Sequence, residues 1–236
     1  MHYVIPSFDV PSVPVVGDDR PFPVRHIYCV GRNYAEHARE MGGDATKEPP
    51  FFFTKFADAI VPVVPAAIGR IAYPMATRNL HHELELVVAL GIGGADVPAA
   101  DAGELVFGYA VGLDMTRRDL QNEMREKKRP WDIGKSFAQA APIAPIHPVA
   151  TIGVLSRGEV TLLVNGERRQ HGDLSDMIWD VPHVIEFLSK LYRLEPGDLI
   201  FTGTPSGVGP VVVGDRLEGH IDGLTPLQIE IVAASP

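Results

Sequence analysis

The chain has 236 residues, of which 45% are hydrophobic and 22% charged; those are the proportions of a chain that buries an apolar core, and they exclude wholesale disorder. A formal net charge of −9 argues against a nucleic-acid partner, which would need a basic face. The one cysteine, Cys29, excludes an internal disulfide and fits a reducing cytoplasm, and no apolar run or basic leader in the sequence suggests a membrane span or secretion.

In chain order, residues 1–23 carry prolines among alternating valines and read as an extended arm, leaving 24–236 as the main domain. Residues 26–30 read as a buried strand ending at Gly31. Asn33 is placed to cap a short helix over 34–41, closed by Gly42 and Gly43. Strands are expected at 51–55, 59–64 and 84–90. A further one at 106–115 leads into a polar helix over 116–128, opened by Thr116 and Asp119 at the spacing of a capping box. Val160 to Val164 followed by Asn165-Gly166 is a strong hairpin signature. Residues 180–191 form an amphipathic helix with Pro182 in its first turn. With 23 Gly and 21 Pro, turns and short strands dominate. The expected class is α+β, a mixed and largely antiparallel β-roll with few helices.

Glu83 and Glu85 carry the strongest chemical pattern. Residues two apart in an extended segment share a face, so two carboxylates converge among Leu84, Leu86, Val87 and Val88. Like charges brought together in apolar surroundings need a cation or a proton between them. A solvated acidic edge strand is the competing interpretation. Asp114, at the end of the apolar strand YAVGLD, adds a third carboxylate. An all-oxygen set favours Mg²⁺ or Mn²⁺; His81 and His82 leave a zinc alternative open, though their spacing is not that of a zinc motif.

His37 and Glu40 lie three apart on the expected first helix, hence on one face, the arrangement of a carboxylate-oriented general base. A chance surface pair is the bland alternative. Lys135, in W-D-I-G-K-S-F, is a lone cation in an apolar stretch, able to stabilise an anion or simply to face solvent. The loop T-G-T-P-S-G-V-G-P, 202–210, can form a nest of backbone N–H groups for a carboxylate.

Taken in order, G-R-N-Y-A-E-H-A-R-E-M-G, E-P-P-F-F-F-T-K, H-H-E-L-E-L, G-L-D-M-T-R-R-D-L-Q, G-K-S-F and F-T-G-T-P-S-G-V-G-P resemble the fumarylacetoacetate hydrolase family over roughly 24–232. The resemblance implies a β-roll, usually homodimeric. It implies Glu83, Glu85 and Asp114 as metal ligands, His37 and Glu40 as a water-activating pair on a lid helix, and Lys135 facing the substrate. Arg118, Gln121 and Thr204 fall at positions that contact a pyruvate-like end, and Lys55 at that of a further substrate-contacting lysine, although Phe56 stands where proline usually follows. The wording E-P-P-F-F-F and D-M-T-R-R-D-L-Q resembles the acylpyruvate-cleaving subgroup. The implied activity is therefore metal-dependent hydrolysis of a C–C bond in a 2,4-diketo acid, foremost fumarylpyruvate to fumarate and pyruvate in the breakdown of aromatic compounds, with no organic cofactor. Oxaloacetate decarboxylation, or isomerisation and decarboxylation of a hydroxymuconate-type acid, is the alternative on the same scaffold, and a non-catalytic cation-binding protein is another. Arg39 and Arg117 are candidate cations for the far carboxylate of fumarylpyruvate, with a solvated surface position the alternative for each.

Overall fold

The segment LELVVAL, Leu84–Leu90, is buried at all seven positions, which a strand achieves only when both faces of its sheet are covered. In the computed structural model, which describes residues 3–36 and 48–234, this strand lies at the middle of an eight-stranded sheet. Phe51–Lys55, Ile27–Gly31 and Leu199–Phe201 lie to one side of it, and Val106–Leu113, Ala141–Ile143 and Ile60–Pro62 to the other; His147–Pro148 also pairs with Val106–Leu113.

A second sheet, of five strands, runs in the order Glu167–Asp173, Glu159–Val164, Arg216–Ile221, Leu227–Val232, Gly69–Ala72. Its strands alternate buried and part-exposed positions, the pattern of a sheet with one face on the core and one toward water. The two sheets approach closely where a glycine removes a side chain: a Cβ on Gly219 would stand 2.5 Å from Leu84 Cδ1. Small sheets of Thr116–Arg117, Leu80–His82 and Gly209–Val211, and of Ser12–Val15 with Asp18–Pro23, complete the strands. Among the strands described, Ala141–Ile143 with Ile60–Pro62, Leu199–Phe201 with Ile27–Gly31 and Leu227–Val232 with Gly69–Ala72 pair parallel, and the other strand pairs are antiparallel. The result is the mixed α+β class with a curled sheet and few helices that the sequence predicts.

Several local expectations hold. The hairpin turns at Asn165 and Gly166, both with positive φ, as a two-residue turn between right-twisted strands requires. The helix Val181–Leu191 is capped by Asp180, whose carboxylate accepts from the His183 amide. It buries Val181, Val184, Ile185 and Leu188, the apolar stripe of an amphipathic helix.

Others change. The polar helix spans Arg118–Glu126 and has no side-chain cap. Asp119 instead accepts from the Thr77 hydroxyl and the Arg78 amide, so its spacing to Thr116 is incidental. The Asn33 side chain donates to the Trp179 and Thr202 carbonyls and accepts from the Trp179 amide. Most of the helix expected over 34–41 lies outside the described residues. In the expected arm, residues 3–10 are exposed. The hairpin that follows buries Val13 and Phe22 in the core, and it is stitched on by Val16 N–H to Ile146 O and Ile146 N–H to Pro14 O. Among the described residues, no helix is long and apolar enough to cross a membrane.

Candidate active site

Strand register assembles the site. Leu84 pairs with Leu113 and Glu85 with Gly112, so the next residues outward, Glu83 and Asp114, face each other, joined by the Asp114 amide donating to the Glu83 carbonyl at 2.8 Å. Glu83, Glu85 and Asp114 are all buried, and one oxygen from each lies within 4.8 Å of the other two.

Among the described residues, three cationic side chains surround the triad. Lys135 Nζ lies 2.8 Å from Glu83 and 2.6 Å from Asp114, and donates to the Thr116 hydroxyl. Lys55 Nζ pairs with the other Asp114 oxygen at 2.7 Å. Arg118 pairs with Glu83 and donates to Gln121. Burial by itself disfavours the Lys135 charge, yet the Asp114 and Glu83 carboxylates outweigh it and the net shift is upward. Glu85 is supported differently: the Gly203 amide donates to its Oε2 at 2.8 Å. Burial, with repulsion from Asp114 and Glu83, pushes its carboxyl well above the usual range.

A buried carboxylate cluster with an under-compensated member calls for a further positive charge, and an all-oxygen donor set suits a hard divalent cation. The residues present therefore fit such an ion. Neither histidine joins them: His82 Nδ1 meets Gln170 Oε1, and His81 lies between Asn79 and Arg118. Among the described residues the cluster is carboxylate alone, which removes the basis for zinc.

The other predicted residues fall unevenly. Glu83, Glu85, Arg118, Gln121, Lys135 and Thr204 line one pocket. Arg118 and Gln121, three apart, are buried polar residues on the inner face of their helix. The Thr204 hydroxyl donates to the Leu84 carbonyl. Lys55 does not line that pocket; its ammonium, buried under Asp114, also donates to the Met115 and Lys135 carbonyls. The nest expected in 202–210 directs the Gly203 amide at the protein's own Glu85. Arg117 lies on the Phe137 ring, 4.3 Å from its centroid, outside the pocket lining. His37, Glu40 and Arg39 lie outside the described residues.

This arrangement has known counterparts. Residues 26–232 match the family described as "Fumarylacetoacetate (FAA) hydrolase C-terminal". The chain belongs to the fumarylacetoacetate hydrolase family. Within it, the fold superimposes on a Pseudomonas aeruginosa fumarylpyruvate hydrolase, solved with Mn²⁺ and pyruvate, with a TM-score of 0.97 and 51% identity over 99% of this chain and 100% of that one. A fumarylpyruvate hydrolase of a Ralstonia species is 43% identical over 188 residues, 80% of this chain and 95% of the relative. A human mitochondrial oxaloacetate tautomerase is also 43% identical, over 210 residues, 88% of this chain and 91% of the relative.

For a member of this family, the pocket also contains residues that sequence reasoning left without roles. Arg32, Phe53 and Trp131 line it. Arg32 stands inside the G-R-N-Y wording, where its neighbours drew the attention. Gln170, fully buried, ties Thr204, Pro205, His82 and Leu84 together. An uncharged amide within E-R-R-Q-H-G-D was its one visible mark. Thr116, read as a helix cap, donates to Glu83 and accepts from Lys135.

Proposed function

We propose that the chain is a fumarylpyruvate hydrolase, cleaving a C–C bond of a 2,4-diketo acid with a divalent cation, Mg²⁺ or Mn²⁺. The observation that carries this reading is the buried carboxylate triad, of which Glu83 and Glu85 line a pocket with Lys135, Arg118 and Gln121, in a chain half identical to a hydrolase that holds Mn²⁺ and pyruvate. A homodimeric, cytoplasmic enzyme is part of the same reading.

Glu83, Glu85 and Asp114 would hold the cation. When bound, it supplies a Lewis acid for the 2-oxo acid end and for the negative charge that cleavage releases. Arg118, Gln121 and Thr204 line the same pocket; Arg118, held by Glu83, and Gln121, held by Arg118, bind the pyruvate-like end, while Thr204, whose hydroxyl proton goes to the Leu84 carbonyl, shapes the wall beside it. Lys135 keeps its proton under the influence of its two carboxylate neighbours and places a positive charge where the enolate develops. His37, oriented by Glu40, takes a proton from water; the hydroxide adds to the carbonyl distal to the 2-oxo acid. The bond between that carbon and the methylene then breaks, its electron pair leaves as the pyruvate enolate, and protonation completes one fumarate and one pyruvate.

Oxaloacetate chemistry is a second reading, because the human tautomerase is as similar as the Ralstonia hydrolase. Turnover of fumarylpyruvate, acetylpyruvate and oxaloacetate at saturating Mg²⁺ tests the choice. The expected order of kcat/KM is fumarylpyruvate, acetylpyruvate, oxaloacetate. Activity on oxaloacetate without acylpyruvate cleavage would reverse the assignment.

A further inference from the structure

Among the described residues, three cationic side chains line the pocket, and two of them are committed. Arg118 is tied to Glu83, and Lys135 lies between Glu83 and Asp114. The third, Arg32, makes no ion pair with any described residue, and its Nε is buried without a hydrogen-bond partner. Buried polar atoms are ordinarily satisfied, and an exception calls for an explanation.

Its backbone is also unusual. Arg32 adopts φ +59°, a left-handed conformation that costs a branched or bulky residue free energy and persists where surroundings impose it. The surroundings here are visible. The Phe51 ring lies against the bare Cα of Gly31, where a Cβ would come within 2.0 Å of ring carbon Cζ, and the Arg32 guanidinium lies 5.8 Å from that ring's centroid.

A continuous aromatic wall joins this guanidinium to the triad. Phe51 meets Trp131 edge-on at 5.1 Å, Trp131 meets Phe53 at 5.8 Å, and Phe53 lies 4.9 Å from Lys135 Nζ. One end of the wall carries the carboxylates and Lys135; the other carries a planar, bidentate donor that no described residue engages in an ion pair.

We propose that Arg32 binds the far carboxylate of a substrate charged at both ends, with its flat, conjugated middle lying along Phe53, Trp131 and Phe51. This rests on the reading of the chain as a hydrolase of acylpyruvates and adds the residue that selects the acyl group. Arg32 replaces Arg117, which lies on Phe137 away from the pocket, in that role.

The test compares wild type with Arg32→Gln and Arg32→Lys, two side chains that meet the same backbone conformation. Turnover is measured on fumarylpyruvate and on acetylpyruvate, which ends in a methyl group. Arg32→Gln is expected to lower kcat/KM for fumarylpyruvate by about tenfold to a hundredfold, mainly through KM, and to change acetylpyruvate by less than about threefold; Arg32→Lys falls between. Equal losses on both substrates, or none on either, overturn the proposal. Calorimetric titration of the Mn²⁺-loaded proteins with fumarate and with its monoacid analogue crotonate reads the site without turnover. Fumarate is expected to bind wild type at least about tenfold more tightly than Arg32→Gln, with crotonate indifferent to the substitution. Fumarate binding that ignores the substitution, or is undetectable in wild type, overturns the proposal even if hydrolysis is robust. A wild type that binds fumarate through Arg32 yet cleaves no acylpyruvate upholds it and overturns the hydrolase reading instead.

Discussion

Asp114 is fully buried with a lysine on each carboxylate oxygen, Lys55 on one and Lys135 on the other. Removing one partner of a buried ion pair strands the other charge, at a cost of about 3–5 kcal/mol. Lys55→Met is therefore expected to lower the stability of the metal-free protein by that amount in urea denaturation. Had Lys55 only touched substrate, KM would rise with stability unchanged, and that result would restore the sequence reading. Glu85 poses the opposite case. Its carboxyl is held high by burial and by Asp114 and Glu83, so the folded state favours its protonated form. The wild type thus gives up stability as pH climbs past the ordinary carboxylate range. Glu85→Gln keeps the shape and can still accept from Gly203. It should raise the melting temperature of metal-free protein near neutral pH, by roughly 2–4 °C for each kcal/mol recovered, with the gain fading toward pH 4. The same change should weaken Mg²⁺ binding at least about tenfold in calorimetry. A variant that loses stability while binding Mg²⁺ normally would contradict the metal site.

At the scale of elements, the loop after Leu199–Phe201 supplies a backbone donor to Glu85. Gly203 holds φ +96°, and a Cβ there would stand 2.7 Å from Asn33 Cβ. Gly203→Ala is expected to cost about 1–3 kcal/mol and to move that amide off Glu85, so that thermal melts and Mg²⁺ titrations both shift; a shift in stability alone would place the loop outside the site. Element identity was largely legible, because Leu84–Leu90 is a continuous apolar run and Asn165-Gly166 a turn with a mechanism. Partnership was not. A period of two says which face a residue takes but not which strand it meets, so the pairing that sets Asp114 opposite Glu83 could be inferred only as a shared chemistry. Thr116 and Asp119 misled for a related reason: both have side chains that cap helices well, and long-range partners at Glu83 and Thr77 outcompeted the local use.

For the whole molecule, six motifs in order pointed to the family before any geometry was known, and the carboxylate triad they marked is brought together by the fold. Lys55 shows the limit of that route. At the end of F-F-F-T-K it looks like a surface residue or a substrate contact; its burial arises because Asp114 and Met115, some 60 positions on, close over it. Arg32 was invisible for the same reason, since nothing local foretells that Phe51 will lie on Gly31. The central claim is a divalent cation at the triad driving hydrolysis of an acylpyruvate. It is tested most directly by assaying fumarylpyruvate cleavage in protein stripped with a chelator, before and after adding Mg²⁺ or Mn²⁺, with fumarate and pyruvate both quantified. The account predicts that stripping abolishes turnover and that either ion restores it, with equal amounts of the two products. Undiminished cleavage in excess chelator, or pyruvate released without fumarate, would contradict it.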